Sequence, residues 1–238
     1  MNEKLLIPFS ILIGAAIVGL AIYFATSSDE KKVVVKEEKD KVVKETTIKK
    51  VGEGDYILGN ENAEAFVIEY SDLECPFCKT YNDESSKKLQ DKYLEDGKVA
   101  FVFRNFPLTI HPSAFGEAIA TECAGVVGGS KKFYEYKNKI FAETSSNGKF
   151  NVKRLPEIAT SIGLEKKAFE ACLKNEATTK KIRDDYKSGV DAGVRGTPTV
   201  FIQLKSGETF PAVADFKVVD EALENYFNQK EETEKVTK

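Results

Sequence analysis

Two densely apolar segments in the first half of the chain set the strongest constraint on its fold. Residues 63–71, AEAFVIEYS, and residues 97–106, GKVAFVFRNF, are rich in apolar and β-branched residues, which predicts two buried strands. A helix from Pro76 to about Leu94 is predicted between them, because proline is favoured at the first helical position and polar residues then dominate one face. This order forms a βαβ unit, so we expect a parallel pair of strands with a right-handed connection.

The order of the later elements indicates the fold class. Residues 107–192 are helical in pattern, and a hairpin follows, with strands at 197–204 and 208–214 around a turn at Ser206-Gly207. An amphipathic helix over 216–229 closes the domain. Strand, helix and strand, then a helical block, then two strands and a helix is the order of an α/β thioredoxin fold with a helical insertion. We place this domain at residues 55–229, with the insertion at about 107–192.

The N-terminal segment differs in kind from the rest of the chain. The run from Leu5 to Ala25 holds 21 residues without a charge, and at about 1.5 Å per helical residue it can span a bilayer core of roughly 30 Å. We therefore expect residues 1–28 to be a membrane anchor with a single transmembrane helix over 5–25. A removed signal peptide is the alternative, although such peptides usually have a shorter apolar centre and an Ala-x-Ala-like end. A buried core helix is disfavoured, because no polar residues alternate with the apolar ones.

The distribution of charged residues predicts the nature of the segments on either side of the predicted domain. Residues 29–54 mix lysines with acidic residues and predict a charged linker, and residues 230–238 predict a disordered tail. The net charge is −3, from 35 basic and 38 acidic residues, so no nucleic-acid partner is indicated. The lysines after the anchor favour a cytoplasmic domain, whereas long domains often cross a membrane regardless of flanking charge. Charge alone therefore favours a domain on the cytoplasmic side of the membrane. The orientation has to be inferred from the cysteine chemistry instead.

Cys75-Pro76-Phe77-Cys78 lies where the first predicted strand ends and the helix begins. The unpaired N–H groups and the positive dipole end of a helix stabilise a thiolate, so Cys75 can be ionised near neutral pH. The thiolate is the nucleophile of disulfide exchange. Two intervening residues let one helical turn bring both sulfurs within bonding reach, with Cys78 the more buried. We interpret the pair as a redox centre.

Two other interpretations of this cysteine pair remain. Inert core thiols are one, although a strand–helix junction favours redox chemistry. Half of a metal site is the other, and it needs two further ligands at a usable spacing. Cys123 and Cys172 are solitary and His111 is the only histidine, so we expect no metal site.

Thr197-Pro198 precedes the predicted strand at 197–204, where a proline would remove a ladder donor unless it lies at the strand start or an edge. The bond between these residues is either an ordinary trans bond or a cis bond. The trans form is the commoner by far, since only about 5–6% of such bonds are cis. The residues alone therefore favour trans.

Four motifs in the same order resemble the DsbA-like thiol–disulfide oxidoreductases, particularly their membrane-tethered branch. These motifs are FVIEYSDLECPFCKTY, NFPLTIHPSAFGEAIATECAG, AFEACL and GVRGTPTVFI. The resemblance implies that Cys75 is the attacking and attacked sulfur and that Cys78 is its partner. It implies that Thr197-Pro198 is a cis-proline loop beside the disulfide, where the Thr197 backbone binds a substrate peptide. It also implies that Glu69 is a buried acid that tunes the pair and relays protons.

The active-site dipeptide departs from the best-known oxidase of that family, which has Pro-His where this chain has Pro76-Phe77. Phe77 offers neither a cation nor a ring N–H to the Cys75 thiolate. We therefore expect a less strongly oxidising disulfide than in that enzyme, which a redox titration would check.

The remaining cysteines lie on predicted helices of the insertion. Cys123 shares an apolar stripe with Phe115, Ile119 and Val126, and Cys172 lies near Phe169. Buried free thiols are one interpretation. The resemblance implies the other, a structural Cys123–Cys172 disulfide, which also suits an oxidising compartment.

Three polar residues in or near these motifs are also candidates for a role at the site. His111 precedes Pro112 and a helix start, so we expect it to have a structural hydrogen-bonding role. Asp72 and Arg195 flank the two predicted redox loops. We expect both to be ordinary solvated charges rather than substrate-facing groups.

The combined prediction is a membrane-anchored, extracytoplasmic thiol–disulfide oxidoreductase that introduces disulfides into secreted or surface proteins through the Cys75–Cys78 pair. It needs no cofactor beyond this redox-active disulfide. Its expected partners are unfolded or reduced secreted proteins and a quinone-linked membrane protein that is DsbB-like or VKOR-like. The alternatives are a reductase or isomerase of the same fold, or a non-catalytic module that binds a metal or a peptide.

Overall fold

A five-stranded mixed sheet forms the centre of the computed structural model, which describes residues 48–144 and 146–236. The strands run in the spatial order β1-β3-β2-β4-β5. Their bounds are β1 (Ile57–Leu58), β2 (Ala65–Ser71), β3 (Val99–Asn105), β4 (Thr199–Leu204) and β5 (Thr209–Ala212). β2 and β3 are parallel, as predicted, and β4 and β5 form the predicted antiparallel hairpin. Every residue of β2 and β3 is buried, because both faces of the sheet are covered.

The helical stretch after β2 begins at Pro76, as predicted, but it is not one continuous α-helix. Helix α1 (Pro76–Tyr81) is followed by a π-helical turn (Asn82–Ser86) and then by α2 (Lys87–Tyr93). Two polar side chains of the π turn bind groups outside the helix. The Asn82 amide oxygen accepts from the Lys137 ammonium at 2.7 Å, and the Ser85 hydroxyl accepts from the Phe216 N–H at 3.2 Å. The predicted extent, to about Leu94, is confirmed, and the π-helical turn within it accommodates these inward contacts.

The helical insertion between β3 and β4 confirms the predicted fold class. It consists of α3 (Ala114–Glu143), a 3₁₀ turn (Val152–Arg154), α4 (Leu155–Ser161), α5 (Lys166–Cys172) and α6 (Glu176–Asp191). The last helix, α7 (Phe216–Val236), packs against the sheet. Helix α3 is broken at Gly129, where φ is 74° and ψ is −174°, a conformation that suits glycine.

The apolar stripe predicted for the first part of α3 is wrong at two positions. Phe115 is 40% exposed and Val126 is 58% exposed, whereas Cys123 is fully buried. The buried face consists largely of small residues, because it packs closely on neighbouring aromatic rings. A Cβ atom on Gly125, for example, would lie 2.2 Å from the Tyr56 ring. Close approach of the backbone, rather than large apolar side chains, therefore defines this interface.

Within residues 48–144 and 146–236, the core consists of three apolar clusters. One sheet face packs against α2 and α7 through residues such as Val67, Leu89 and Leu223, and the other packs against the segment after α6 through Ile68 and Val194. The third cluster fills the insertion, and Cys75 and Cys78 belong to it. The redox motif therefore lies where the sheet meets the insertion.

Both predicted boundaries of the domain need correction. Residues 48–54, expected to belong to the charged linker, contact the sheet: Ile48 is buried, and the Val51 N–H donates to the Gln203 side chain at 2.8 Å. Helix α7 runs to Val236 through most of the segment expected to be a disordered tail. The Lys230 ammonium fastens it by pairing with the Glu64 carboxylate at 2.7 Å.

The predicted anchor at 1–28 and residues 29–47 of the predicted linker lie outside the described residues. Among the helices of residues 48–144 and 146–236, none combines the length and apolarity needed to cross a membrane.

A disulfide joins Cys123 of α3 to Cys172 of α5, with Cα atoms 5.6 Å apart. The bond closes a sequence separation of 49 residues. Its place within the insertion core means that it links two helices whose packing lines one side of the redox motif.

We predict that the double substitution Cys123→Ala/Cys172→Ala lowers the free energy of unfolding by about 2–5 kcal/mol, because a loop of this length is freed in the unfolded chain. Urea unfolding of both oxidised proteins measures the difference. The matched control is the same comparison under reductant strong enough to open the Cys123–Cys172 bond, where most of the difference should vanish. Equal stability without reductant would contradict the prediction.

Candidate active site

Cys75 occupies the N-cap position of α1, directly after the loop that leaves β2. Its backbone is extended, with φ −74° and ψ 125°, and Pro76 opens the helix. The Cys75 carbonyl accepts the first helical hydrogen bond, from the Lys79 N–H at 3.1 Å. The sulfur is therefore held at the helix N-terminus, where unpaired N–H groups favour an anion.

Cys78 lies one turn further into α1 and is fully buried. Its sulfur accepts from the Asp72 N–H at 3.5 Å. Cys75 is also buried, with 4% of its surface exposed, and Cys78 is the more buried of the two, as predicted. The insertion and the loop before β4 cover Cys75 from two sides.

The two thiols differ in acidity. A hydrogen bond from the Cys78 thiol lowers the pKa of Cys75 to about 6, with further donation from the Cys78 and Phe77 N–H groups, and burial opposes them. Burial raises the pKa of Cys78 well above its usual range, and the charges of Cys75 and Glu69 add to this effect. Near neutral pH, the pair therefore consists of one thiolate, on Cys75, and one thiol, on Cys78.

The peptide bond between Thr197 and Pro198 is cis, in the loop before β4. The Thr197 carbonyl oxygen lies 3.6 Å from the Cys75 sulfur and accepts from the Cys75 thiol when that group is protonated. The fold thus brings together two of the four motifs that carried the sequence resemblance, although 122 residues separate Cys75 from Thr197.

An open cleft of about 460 Å³ runs beside this loop. Phe77 forms part of its wall and is 73% exposed. The other lining residues are Thr80, Tyr81, Glu84, Ser85, Thr197, Pro198, Val213, Ala214 and Asp215. The cleft offers a mostly uncharged surface next to the Thr197 backbone, which suits an extended peptide.

Glu69 lies on β2 and is buried, as the resemblance implied. Its Oε1 atom has no hydrogen-bond partner within the described ranges. Burial raises the pKa of Glu69, while the positive charge of Lys137 acts in the opposite direction. Sequence analysis missed Lys137, which is buried on α3, because a lysine in a helical pattern is normally solvated.

Asp72 is buried, so the expectation of a solvated charge is wrong for this residue. Its carboxylate accepts from the Glu74 N–H at 2.8 Å and from the Leu108 N–H at 2.7 Å. The His111 Nδ1 atom lies 2.8 Å from the same carboxylate, which matches the structural role expected for that histidine. These bonds brace the loop before Cys75 against the start of the insertion. Arg195 is exposed, as expected.

No group of three or more His, Cys, Asp or Glu side chains is arranged to hold a metal ion in the part of the chain that the structure describes. Cys123 and Cys172 are joined to each other and lie apart from the redox motif in the sequence.

The sequence of the chain matches a known protein family. The family described as thioredoxin matches residues 51–224, which is most of the chain. The chain belongs to the thioredoxin family. Among solved structures, DsbA2 of Pseudomonas aeruginosa is 31% identical, with a TM-score of 0.55, and the match covers 66% of this chain and 85% of that one. This match confirms the DsbA-like resemblance of the four motifs.

Other proteins to which the chain is similar share less of its sequence. Oxidised BdbD of Bacillus subtilis shares the fold, with a TM-score of 0.63 at 23% identity over 72% of this chain and 92% of that one. A Rickettsia bellii protein named "Putative protein-disulfide oxidoreductase" is 25% identical over 76% of this chain and 69% of its own length. A Rickettsia prowazekii relative is 26% identical, and the match spans 64% of its length.

For this thioredoxin-family chain we predict that Cys75 ionises with a midpoint near pH 6. Thiolate absorbance in the ultraviolet, recorded on the reduced protein, gives the midpoint, and Cys75→Ser should remove the transition. Cys78→Ala should raise the midpoint, because it removes the thiol whose hydrogen bond lowers the pKa of Cys75. A midpoint near 9.0, the ordinary value, would contradict the prediction.

The same ionisation should make the stability of the reduced protein depend on pH. The folded-state pKa of Cys75 lies below the unfolded value, so the stabilisation is fully present above pH 9.0 and is lost as the pH falls to about 6.

Proposed function

We propose that this DsbA-like protein is a thiol–disulfide oxidoreductase that donates the Cys75–Cys78 disulfide to secreted or surface proteins. The observation that carries the proposal is geometric: Cys75 occupies the N-cap position of α1, Cys78 is fully buried one turn later, and the cis Thr197-Pro198 loop lies 3.6 Å from the Cys75 sulfur. A stabilised Cys75 thiolate favours the reduced form, and a protein whose reduced form is favoured gives its disulfide away. The name of the Rickettsia bellii relative supports the same chemistry.

The reaction begins with Cys75 and Cys78 joined by a disulfide. A substrate thiolate attacks the Cys75 sulfur, because that sulfur is the less buried of the two. A substrate–Cys75 disulfide forms, and Cys78 leaves with the electron pair and gains a proton. A second substrate thiolate then attacks the substrate sulfur in the mixed disulfide. The substrate departs oxidised, and Cys75 leaves as a thiolate stabilised by its hydrogen bonds.

The cleft beside Thr197-Pro198 is the proposed substrate site. A peptide lying along this loop places a cysteine against Cys75, because the Thr197 carbonyl is 3.6 Å from the Cys75 sulfur. Phe77 and Val213 offer exposed apolar surface on the cleft wall. Such surface suits unfolded or reduced proteins, whose apolar side chains are not yet buried.

We further propose that the catalytic domain lies outside the cytoplasm and is tethered by the anchor at residues 1–28. Disulfide donation requires an oxidising compartment, and the Cys123–Cys172 bond is of the kind that persists there. The reduced enzyme must pass two electrons to an acceptor. A quinone-linked membrane protein, DsbB-like or VKOR-like, would meet a tethered domain at high effective concentration.

One observation favours a second candidate function. The lysines that follow Ala25 suit a cytoplasmic domain, and in that compartment the same cysteine pair would be kept reduced and would act as a reductase or isomerase.

We predict that Cys78→Ser lowers turnover by at least about a hundredfold, because no Cys75–Cys78 disulfide can form, and that Cys75 of this variant attacks a substrate disulfide and stays bound as a mixed disulfide. Turnover is measured as oxidation of a reduced, unfolded model protein with two cysteines. Trapping is measured with the same model protein in its disulfide form, and the trapped species are separated on non-reducing gels. Cys75→Ser should abolish both turnover and trapping. Cys123→Ala/Cys172→Ala is the control that should keep turnover.

A protein that only binds peptides would behave differently in this experiment. Unchanged substrate capture in both Cys78→Ser and Cys75→Ser, with no covalent adduct, would contradict an oxidoreductase and favour the non-catalytic module.

A further inference from the structure

The cleft beside the Thr197-Pro198 loop is bounded by a helix face that leads away from Cys75. Phe77, Thr80 and Glu84 line the cleft at helical spacing along α1 and the π-helical turn. Glu84 comes 9 residues after Cys75 in the chain. At about 1.5 Å per helical residue, this separation is roughly 13 Å along the helix axis. The cleft therefore extends about that far from the reacting sulfur.

A contact between the two walls closes the far end of this cleft. The Ser85 hydroxyl accepts from the Phe216 N–H at 3.2 Å, and this bond joins the helix face to the segment that follows β5. Glu84 precedes Ser85 and Asp215 precedes Phe216, so the two acidic residues flank the same contact. Both acidic residues are exposed and both line the cleft. The cleft therefore ends at a pair of carboxylates.

Within the described residues, no basic side chain on the cleft wall balances these two charges. The lining residues include neither Lys, Arg nor His. The neighbouring Asp83 pairs with Lys87 at 3.0 Å, whereas Glu84 forms no ion pair in the described part of the chain. The Asp215 carboxylate accepts from the Lys217 N–H at 2.9 Å at the start of α7. This capping bond fixes the carboxylate in place, but the Lys217 side chain does not line the cleft.

The part of the cleft nearer Cys75 is apolar. Phe77 is 73% exposed on one wall, and Val213 is 66% exposed on the other. An extended peptide rises about 3.3 Å per residue, so roughly four residues lead from a cysteine at Cys75 to the acidic end. The length of a lysine or arginine side chain widens this range to roughly three to five residues.

We propose that the cleft selects extended protein segments that carry a lysine or arginine three to five residues from the reacting cysteine, and that Glu84 and Asp215 determine this specificity. The inference rests on the proposed function and adds to it the class of substrate. The apolar walls near Cys75 accept the residues between the cysteine and the basic side chain. Charge complementarity at the closed end then fixes the register of the segment.

The expected preference is modest and sensitive to salt. Ion pairs between exposed side chains are weak, and about fivefold in rate is the scale that such a pair reaches. Screening extends over about 30 Å at 0.01 M salt and shrinks to about 3 Å at 1 M. A preference that comes from the two carboxylates must therefore be strong at low salt and vanish at high salt.

The test measures how fast the full chain, with the Cys75–Cys78 pair reduced, reacts with short peptides whose single cysteine is joined to nitrothiobenzoate by a disulfide. The Cys75 thiolate attacks the peptide sulfur, and nitrothiobenzoate leaves with the electron pair as a coloured thiolate. The peptides are otherwise uncharged and carry either Lys or Glu four positions from the cysteine, on one side or the other. Each rate is divided by that of dithiothreitol with the same peptide, which removes differences in the reactivity of the peptides themselves.

At about 0.01 M salt, the lysine peptide on at least one side should react about fivefold faster than the glutamate peptide, and at 1 M salt the two rates should be equal. A lysine directly beside the cysteine should give a smaller preference, because it cannot reach the acidic end. Glu84→Gln/Asp215→Asn should lower the ratio to about one, and asparagine preserves the cap of α7. The matched control is Asp91→Asn/Glu95→Gln, which removes the same charge from exposed positions outside the cleft and should keep the ratio.

A charge reversal guards against a variant that folds poorly. Glu84→Lys should make the glutamate peptide the faster of the two, and a loss of folded protein cannot reverse a preference. Unchanged selection of the lysine peptide by Glu84→Lys would overturn the inference.

The other outcomes separate the inference from the proposed function. Equal rates for both peptides in the unaltered protein, or a ratio that changes as much in Asp91→Asn/Glu95→Gln as in Glu84→Gln/Asp215→Asn, overturn the inference and leave the proposed function standing. The proposed function fails on a different measurement, in which the oxidised protein gives its disulfide to no dithiol peptide of either charge. In that case, the ratio measured on the reduced protein still decides whether the cleft selects basic segments.

Discussion

The junction between β2 and α1 fixes two sulfurs of unequal acidity, and the chemistry of the molecule depends on it. Cys75 occupies the N-cap position of the helix and accepts from the Cys78 thiol and from backbone N–H groups, whereas Cys78 is fully buried one turn further on. A helix start alone would favour a thiolate. The hydrogen bond between the thiols adds to that preference, and burial prevents Cys78 from competing for the charge. Because of this difference in acidity, Cys75 forms the bond to the substrate sulfur. Cys78 is released when the Cys75–Cys78 bond breaks, and it is then protonated.

The helical insertion is part of this arrangement rather than an addition to it. Asp72, two residues before Glu74, holds the loop to the Leu108 backbone and to His111 at the start of the insertion. The Glu74 carboxylate accepts from the Ser113 N–H at 2.7 Å. From the other side, α3 sends Lys137 beneath the active-site helix. The insertion thus braces the loop before Cys75 and places the Lys137 ammonium below Cys78. A movement of its helices would therefore change the surroundings of both sulfurs.

Sequence patterns predicted the parts of the fold that rest on local preferences. β2, β3 and the β4–β5 hairpin followed from continuous apolar runs, and the start of α1 followed from Pro76. The predictions of burial and of the domain boundary that were wrong share one physical cause. In each case, segments distant in the chain come into contact. Such contacts bury Asp72 and Lys137, turn Phe115 outward, and draw residues 48–54 onto the sheet. The cis bond before Pro198 followed from the resemblance and not from the residues, which favour trans.

The reduction potential of the Cys75–Cys78 pair, measured at equilibrium against glutathione, tests the central claim most directly. A protein that donates disulfides must have a potential above that of thioredoxin, about −270 mV. Because Phe77 gives the thiolate neither a cation nor a ring N–H, we expect the value to lie below the roughly −120 mV of the strongly oxidising DsbA. A value between these limits is the predicted result. A value at or below about −270 mV would contradict the account and favour a reductase, and with it the cytoplasmic orientation that the lysines after Ala25 suggest.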